Sequence, residues 1–131
     1  WSEIETAFSA RVTLDRDGRW FVSFTRPAPQ SERESTGAVV GLDMGVTHTA
    51  TMSDGQFLDM PELLSQGEKQ RKRRLGRRLA RQVKGSNRRK ATKLAIAKIS
   101  AKESDRRKDW IEKTTTELVR DYDLIAIEDL K

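Results

Sequence analysis

The chain of 131 residues contains no cysteine, which excludes disulfides, zinc ribbons and thiol chemistry from this segment. Its one histidine, His48, excludes a His-rich metal site. No run of about eighteen apolar residues is present and no signal-peptide pattern opens the chain, so the reading is of a soluble, cytoplasmic protein without a membrane partner. Between residues 68 and 108 the scarce component is acid: three acidic residues stand against eighteen Lys/Arg. Elsewhere the balance reverses, with eight basic and seventeen acidic residues. A cationic arm on a mildly acidic body predicts a polyanionic partner. The length suits one ordinary core with at most a small appendage. The opening Trp1 and the closing Glu-Asp-Leu-Lys predict a piece of a longer protein.

Residues 7–26 read as a β-hairpin, two β-rich runs around Asp-Arg-Asp-Gly, with Trp20, Val22 and Phe24 on one face by the two-residue period. The following PAPQSEREST, 27–36, has the composition of a linker. This predicts a boundary near residue 35, between a 1–35 segment and a 36–131 segment. Three short strands are expected at 38–45, 48–54 and 56–60, with Asp54-Gly55 turning the last pair. Pro61 is expected to start a helix, with Asp59 or Met60 near its cap. Helix then continues to about residue 120, broken at Lys84-Gly85-Ser86-Asn87, with Ser86 or Asn87 as an N-cap. The first helix should carry a seam of Leu75, Leu79 and Val83, and the second a stripe of Trp110, Thr114 and Leu118. DLIAIEDL, 123–130, reads as a buried strand.

The candidate chemistry lies in VVGLDMGVTHTATMSDG, 39–55, where Asp43 sits inside an apolar run between Gly41 and Gly45. A carboxylate in an apolar strand is costly unless a cation or a donor compensates it. If the strands bearing Asp43 and Glu128 are parallel neighbours, the two acids lie side by side at the strand ends. Oxygen-only ligands on a sheet suit Mg²⁺ or Mn²⁺ rather than zinc. A lone acid at a strand end is usually a turn or cap residue. Two such acids on two apolar strands make the metal reading about as good as that one. His48 is expected as a surface or turn residue, Asp54 as part of the turn, and Trp20 and Trp110 as core or interface anchors. Asp129 is expected to cap or bond backbone. In the basic arm, Arg71, Arg74 and Arg78 form one stripe and Arg73, Arg77 and Arg81 another, flanking the apolar seam. With Arg88 and Arg89 they are the candidate nucleic-acid contacts, because guanidinium groups suit phosphate forks and stacking.

The ordered set of VVGLDMGVTHTATMSDG, the basic helical pair and LIAIEDL resembles the RuvC-like nuclease domain of the transposon-encoded TnpB (OrfB) proteins, themselves similar to compact type V CRISPR effectors. The hairpin RVTLDRDGRWFVSF resembles the last strands of that family's wedge domain. The resemblance implies an α/β, RNase H-like (RuvC) mixed sheet with a long basic helical hairpin inserted, preceded by a β-hairpin from a wedge-type β domain. It implies an RNA-guided DNA endonuclease using Mg²⁺ (or Mn²⁺), with Asp43 and Glu128 as catalytic and metal-binding carboxylates. The implied partners are a guide RNA, a target DNA and the remainder of the same polypeptide, which would carry a third carboxylate and a zinc-binding insertion. The segment alone is then not expected to cut, and a prokaryotic cytoplasm is implied. Two alternatives stay open: a nuclease-dead RNA-guided DNA-binding module, and a transposase or resolvase working without a guide.

Overall fold

The computed structural model describes residues 8–28 and 33–128. The expected hairpin is present as β1 (Ser9–Leu14) and β2 (Trp20–Thr25), antiparallel, with Leu14 opposite Trp20 and Val12 opposite Val22. Its turn closes through the Asp15 N–H to the Arg19 carbonyl and the Gly18 N–H to the Asp15 carbonyl, with Gly18 at φ 88°. That left-handed backbone favours glycine, which has no Cβ to strain it. Asp17 is buried there and held by the Arg19 guanidinium at 2.5 Å. The face shared by Val12, Leu14, Trp20, Val22 and Phe24 is open, and Trp20 is 67 % exposed. Trp20 is therefore not a core residue among the described ones.

After the hairpin come β3 (Val39–Asp43), β4 (Ala50–Met52) and β5 (Phe57–Leu58), then α1 (Gln66–Ala80), α2 (Asn87–Asp121) and β6 (Leu124–Ile127). The chain groups into two compact units, one of residues 1–32 with 66–102, the other of 33–65 with 103–131. In the first, α1 begins at Gln66 rather than at Pro61. Ser65-Gln66-Gly67-Glu68 has the S-x-x-E capping-box pattern, a stronger start signal than proline five residues earlier. The helix stops at Ala80, so Val83 falls outside it and stands exposed; the apolar seam is Leu75 and Leu79 only. Arg89 Nη1 donates to the carbonyls of Leu79 and Gln82 at 2.5 and 3.1 Å, satisfying acceptors that α1 leaves at its C-terminus. Gly85 takes the turn at φ 85°. Ser86 caps α2 as expected: its Oγ accepts from the Arg89 N–H at 3.3 Å, and its carbonyl from the Lys90 N–H at 3.1 Å. Ile99 and Thr92 are the buried residues of α2.

In the second unit the four strands lie in the order β5-β4-β3-β6, with β3 antiparallel to β4 and parallel to β6. Val40, Ala50 and Met52 are buried, and Val40 is completely so. They share one face by the strand period and by the pairs Leu42↔Met52 and Ala50↔Leu58. The opposite face carries Val39, Gly41, Asp43, Thr51 and Phe57, and it is open. On α2, Trp110, Thr114 and Leu118 are half-buried amid exposed neighbours, which bears out their stripe. The expectation of a buried last strand is corrected: β6 is the sheet's edge among the described residues, with Leu124 57 % and Ile127 70 % exposed. Apolarity of both its faces suits coverage on both sides, but only β3 adjoins it here.

Residues 33–37 tie this unit together, although part of the run expected as a linker (29–32) lies outside the described residues. The Arg33 guanidinium donates to the carbonyls of Val119 and Arg120 and pairs with the Asp123 carboxylate. Asp123 also accepts from the Ser35 hydroxyl at 2.5 Å, the Gly37 N–H at 2.7 Å and the Thr36 N–H at 3.2 Å. The Asp123 N–H in turn donates to the Ala38 carbonyl at 2.8 Å. One carboxylate thus closes the end of α2 against the segment leading into β3 and sets β6 beside it.

Candidate functional site

Val39 pairs with Leu124 and Leu42 with Ile127, so Asp43 and Glu128 are each the next residue along two parallel neighbouring strands. Residues opposite one another in register share a face. The two acids therefore stand together at the C-terminal ends of the strands, on the open face. They line one shallow depression of about 400 Å³, with Gly41, Thr51, Ser53 and Ala126 among its other walls. Its floor is small because Gly41 has no side chain and Ala126 has one carbon. The Gly41 N–H donates to the Ser53 Oγ at 2.9 Å, and the Ser53 N–H to the Gly41 carbonyl at 2.9 Å, fixing β3 against the end of β4. Gly45 has a different reason for being glycine: a Cβ there would come 3.1 Å from the His48 carbonyl. It serves the tight loop after β3 rather than openness at the carboxylates.

Both carboxylates are exposed, and no described residue bonds either. Their oxygens are hard donors suited to Mg²⁺ or Mn²⁺. No group of three or more His, Cys, Asp or Glu that could hold a metal occurs among the described residues. Asp43 and Glu128 fit such a cation as a partial ligand set. Asp129 lies outside the described residues.

Beside this pair, His48 Nδ1 contacts both oxygens of Asp59 at 2.9 and 3.1 Å, and its ring stacks on Phe57 with centroids 4.2 Å apart. The His48 bond holds the Asp59 carboxyl below its ordinary pKa. Asp54 is in the turn, as expected: it accepts from the Gln56 N–H at 3.0 Å and from the Tyr122 hydroxyl at 2.8 Å. The Gln56 N–H first, and then the Tyr122 hydroxyl, lower the Asp54 pKa; the same bond raises that of Tyr122.

The arginines belong to the other unit. Arg71, Arg73, Arg74, Arg77 and Arg78 are exposed on α1, and Arg81 follows directly after it. Arg74, Arg77, Arg78, Arg81, Gln82 and Arg88 line one depression of about 520 Å³. Arg74 and Arg78 of one expected stripe thus meet Arg77 and Arg81 of the other, since residues at i, i+3, i+4 and i+7 lie on one side of a helix. Arg89 is turned to the carbonyls at the end of α1 and is half-buried. Sequence reasoning passed over the 33–37 clasp, whose partners lie 85 to 90 residues away and leave no local pattern.

Fold and site together define a mixed α/β chain with an open pair of carboxylates and a concentrated arginine face. The chain belongs to the OrfB_IS605 family, described as "Probable transposase", which it matches over residues 11–131. It is 36 % identical over 119 residues to a "Putative RNA-guided DNA endonuclease" of Streptomyces pristinaespiralis, covering 91 % of this chain and 29 % of that protein. It is 34 % identical over 128 residues to "Putative RNA-guided DNA endonuclease InsQ" of Escherichia coli (strain K12), covering 96 % of this chain and 32 % of that protein. The TnpB/OrfB resemblance read from the motifs is borne out. The chain spans about a third of the length of these relatives.

Proposed function

We propose that this chain is part of an RNA-guided DNA endonuclease whose RuvC-type, RNase H-like sheet holds Mg²⁺ (or Mn²⁺) at Asp43 and Glu128. The observation that carries this reading is the parallel register of β3 with β6, which sets two unbonded carboxylates side by side on an open face. The names of the similar proteins support the substrate and partners: a DNA target and a guide RNA. Bound there, a pair of divalent ions would supply charge stabilisation for the attacking and leaving oxygens of a phosphodiester.

The chain's own residues do the remaining work. The parallel register of β3 with β6 sets the Asp43 and Glu128 backbones side by side, and a bound cation would order their exposed side chains. Gly41 and Ala126 leave room for a sugar-phosphate backbone to approach the acids. Arg74, Arg77, Arg78, Arg81 and Arg88, which line one depression, bind phosphates without regard to sequence, and Arg71 and Arg73 extend the basic surface beside them. Two carboxylates are an incomplete ligand set, so a third ligand from the rest of the polypeptide completes the site.

The test uses protein expressed from its complete reading frame with its guide RNA. Cleavage of a matched DNA target in Mg²⁺ is followed over time, with a gel shift in parallel. Asp43→Ala and Glu128→Ala should each lower cleavage by orders of magnitude while leaving target binding nearly unchanged, because guide pairing and phosphate contacts carry affinity. The double variant should be little worse than either single one. Wild-type protein that binds its target yet does not cut it would refute the nuclease reading and favour a binding module.

A further inference from the structure

Three strands of the second unit place one residue each in a single row. Asp43 lies opposite Thr51, and Thr51 opposite Phe57. Directly opposed residues project to the same face, so the Phe57 ring, Thr51 and Asp43 share the open side of the sheet, with Glu128 beyond Asp43. His48 stacks on Phe57 with an interplanar angle of 24°, which brings its imidazole to that same side. Strands lie about 4.8 Å apart, so Phe57 is roughly 10 Å from Asp43, on the side away from Glu128.

The imidazole is held at two points. Asp59 bonds Nδ1 and Phe57 fixes the ring plane. Both hydrogen-bond contacts of His48 among the described residues run through Nδ1, and its side chain is 36 % exposed. A carboxylate on Nδ1 fixes a proton there and directs the opposite nitrogen outward. In the imidazolium form that nitrogen is a charged donor suited to a phosphate oxygen.

We propose that His48, oriented by Asp59 and Phe57, is a substrate-positioning residue whose Nε2 binds a phosphate flanking the scissile one. The inference rests on the nuclease reading and adds to it a second anchor on the strand being cut. Phe57, on which the imidazole stacks, stands two strands from Asp43, so the imidazole is placed for a phosphate beside the reacting one. Holding a neighbouring phosphate restricts how the backbone crosses Asp43 and Glu128, and positioning of that kind lowers the barrier without new chemistry.

The competing role is structural, with the Nδ1–Asp59 bond merely fastening β4 to the end of β5. Two amides separate the roles. The asparagine amide nitrogen takes the place of Nδ1, and that of glutamine takes the place of Nε2. Single-turnover cleavage is measured with subsaturating, guide-matched target for wild type, His48→Ala, His48→Asn and His48→Gln. If Nε2 binds phosphate, His48→Gln should keep most of the wild-type rate, while His48→Ala and His48→Asn lose about tenfold, the scale of one charge-assisted hydrogen bond. A target with an uncharged methylphosphonate at the flanking phosphate, tried on each side of the cut, should slow wild type by a similar factor. It should slow His48→Ala little further, since the two changes remove one interaction. Retention by His48→Asn with loss by His48→Gln would overturn the proposal, as would an unaffected His48→Ala. Equal methylphosphonate effects in wild type and His48→Ala would also overturn it. In all of these cases wild type still cuts and the nuclease reading stands. Wild type that binds but does not cut brings down both.

Discussion

The arginine face offers a quantitative test that needs no cleavage. Arg74, Arg77, Arg78, Arg81 and Arg88 line one depression, and each is exposed. If each neutralises one phosphate, five counterions are released on binding. The slope of log K against log salt is then about −3.5 for a single strand, or about −4.5 for duplex DNA. Between 50 and 200 mM salt, a slope near −4 weakens binding about 250-fold. Replacing Arg74, Arg77 and Arg78 with alanine should leave about two contacts, a slope near −1.6 and a loss of only about tenfold across the same range. The assay is fluorescence anisotropy of a labelled oligonucleotide titrated at several salt concentrations. Arg89→Ala is the control. It should destabilise the end of α1, because Arg89 bonds the carbonyls of Leu79 and Gln82, yet change the slope far less than the triple replacement. A triple variant with the wild-type slope would show that this face does not meet phosphate, however basic it is.

Other consequences concern the scaffold. Asp123 has its pKa held down to about 2 by the Ser35 hydroxyl, the Gly37 and Thr36 N–H groups and Arg33, against 3.8 ordinarily. Its contribution to stability should therefore be complete above the ordinary value and fade as pH falls through about 2; Asp123→Asn should flatten that acid limb in a pH series of melting curves. Ser86→Ala should cost about 1 kcal/mol by removing the α2 cap, measurable by urea unfolding followed by circular dichroism. Gly45→Ala should lower the melting temperature, since its methyl would meet the His48 carbonyl at 3.1 Å, whereas Gly41→Ala, with its nearest neighbour at 3.5 Å, should leave it nearly unchanged.

Most of the strand content was legible because β3, β4 and β5 are short apolar runs bounded by Gly and Asp-Gly turns. The nearness of Asp43 and Glu128 was legible only on condition that their strands were parallel neighbours, and that condition holds. Pro61 alone predicts the helix start, whereas α1 starts at Gln66, where the Ser65-to-Glu68 pattern suits the first free N–H groups. The spacing of Val83 from Leu79 suits a helix, but spacing carries no information about where a helix ends, and α1 stops at Ala80. Exposure of β6 could not be read from its composition, since a strand with two apolar faces looks the same whether or not anything covers it. Arg89 looks like its basic neighbours in sequence, because its bond to the end of α1 depends on how the 81–86 turn closes. The clasp of Arg33 on Asp123 was invisible for the same reason on a larger scale.

The pairing of Val39 with Leu124 spans 85 residues of chain, and this bears on the order in which the protein is built. The β3, β4 and β5 hairpins are local and can form soon after they are synthesised. β6 cannot dock until both helices have been made, roughly 3–14 s after β5 at ribosomal rates of about 5–20 residues per second. Long-range parallel pairing is also the slow part of folding, because loop closure precedes any gain from it. During that interval Asp43 lies at the end of an uncovered strand, with no Glu128 beside it. A nascent chain thus has no assembled acid pair, and whatever chemistry the pair performs is withheld until translation has passed it.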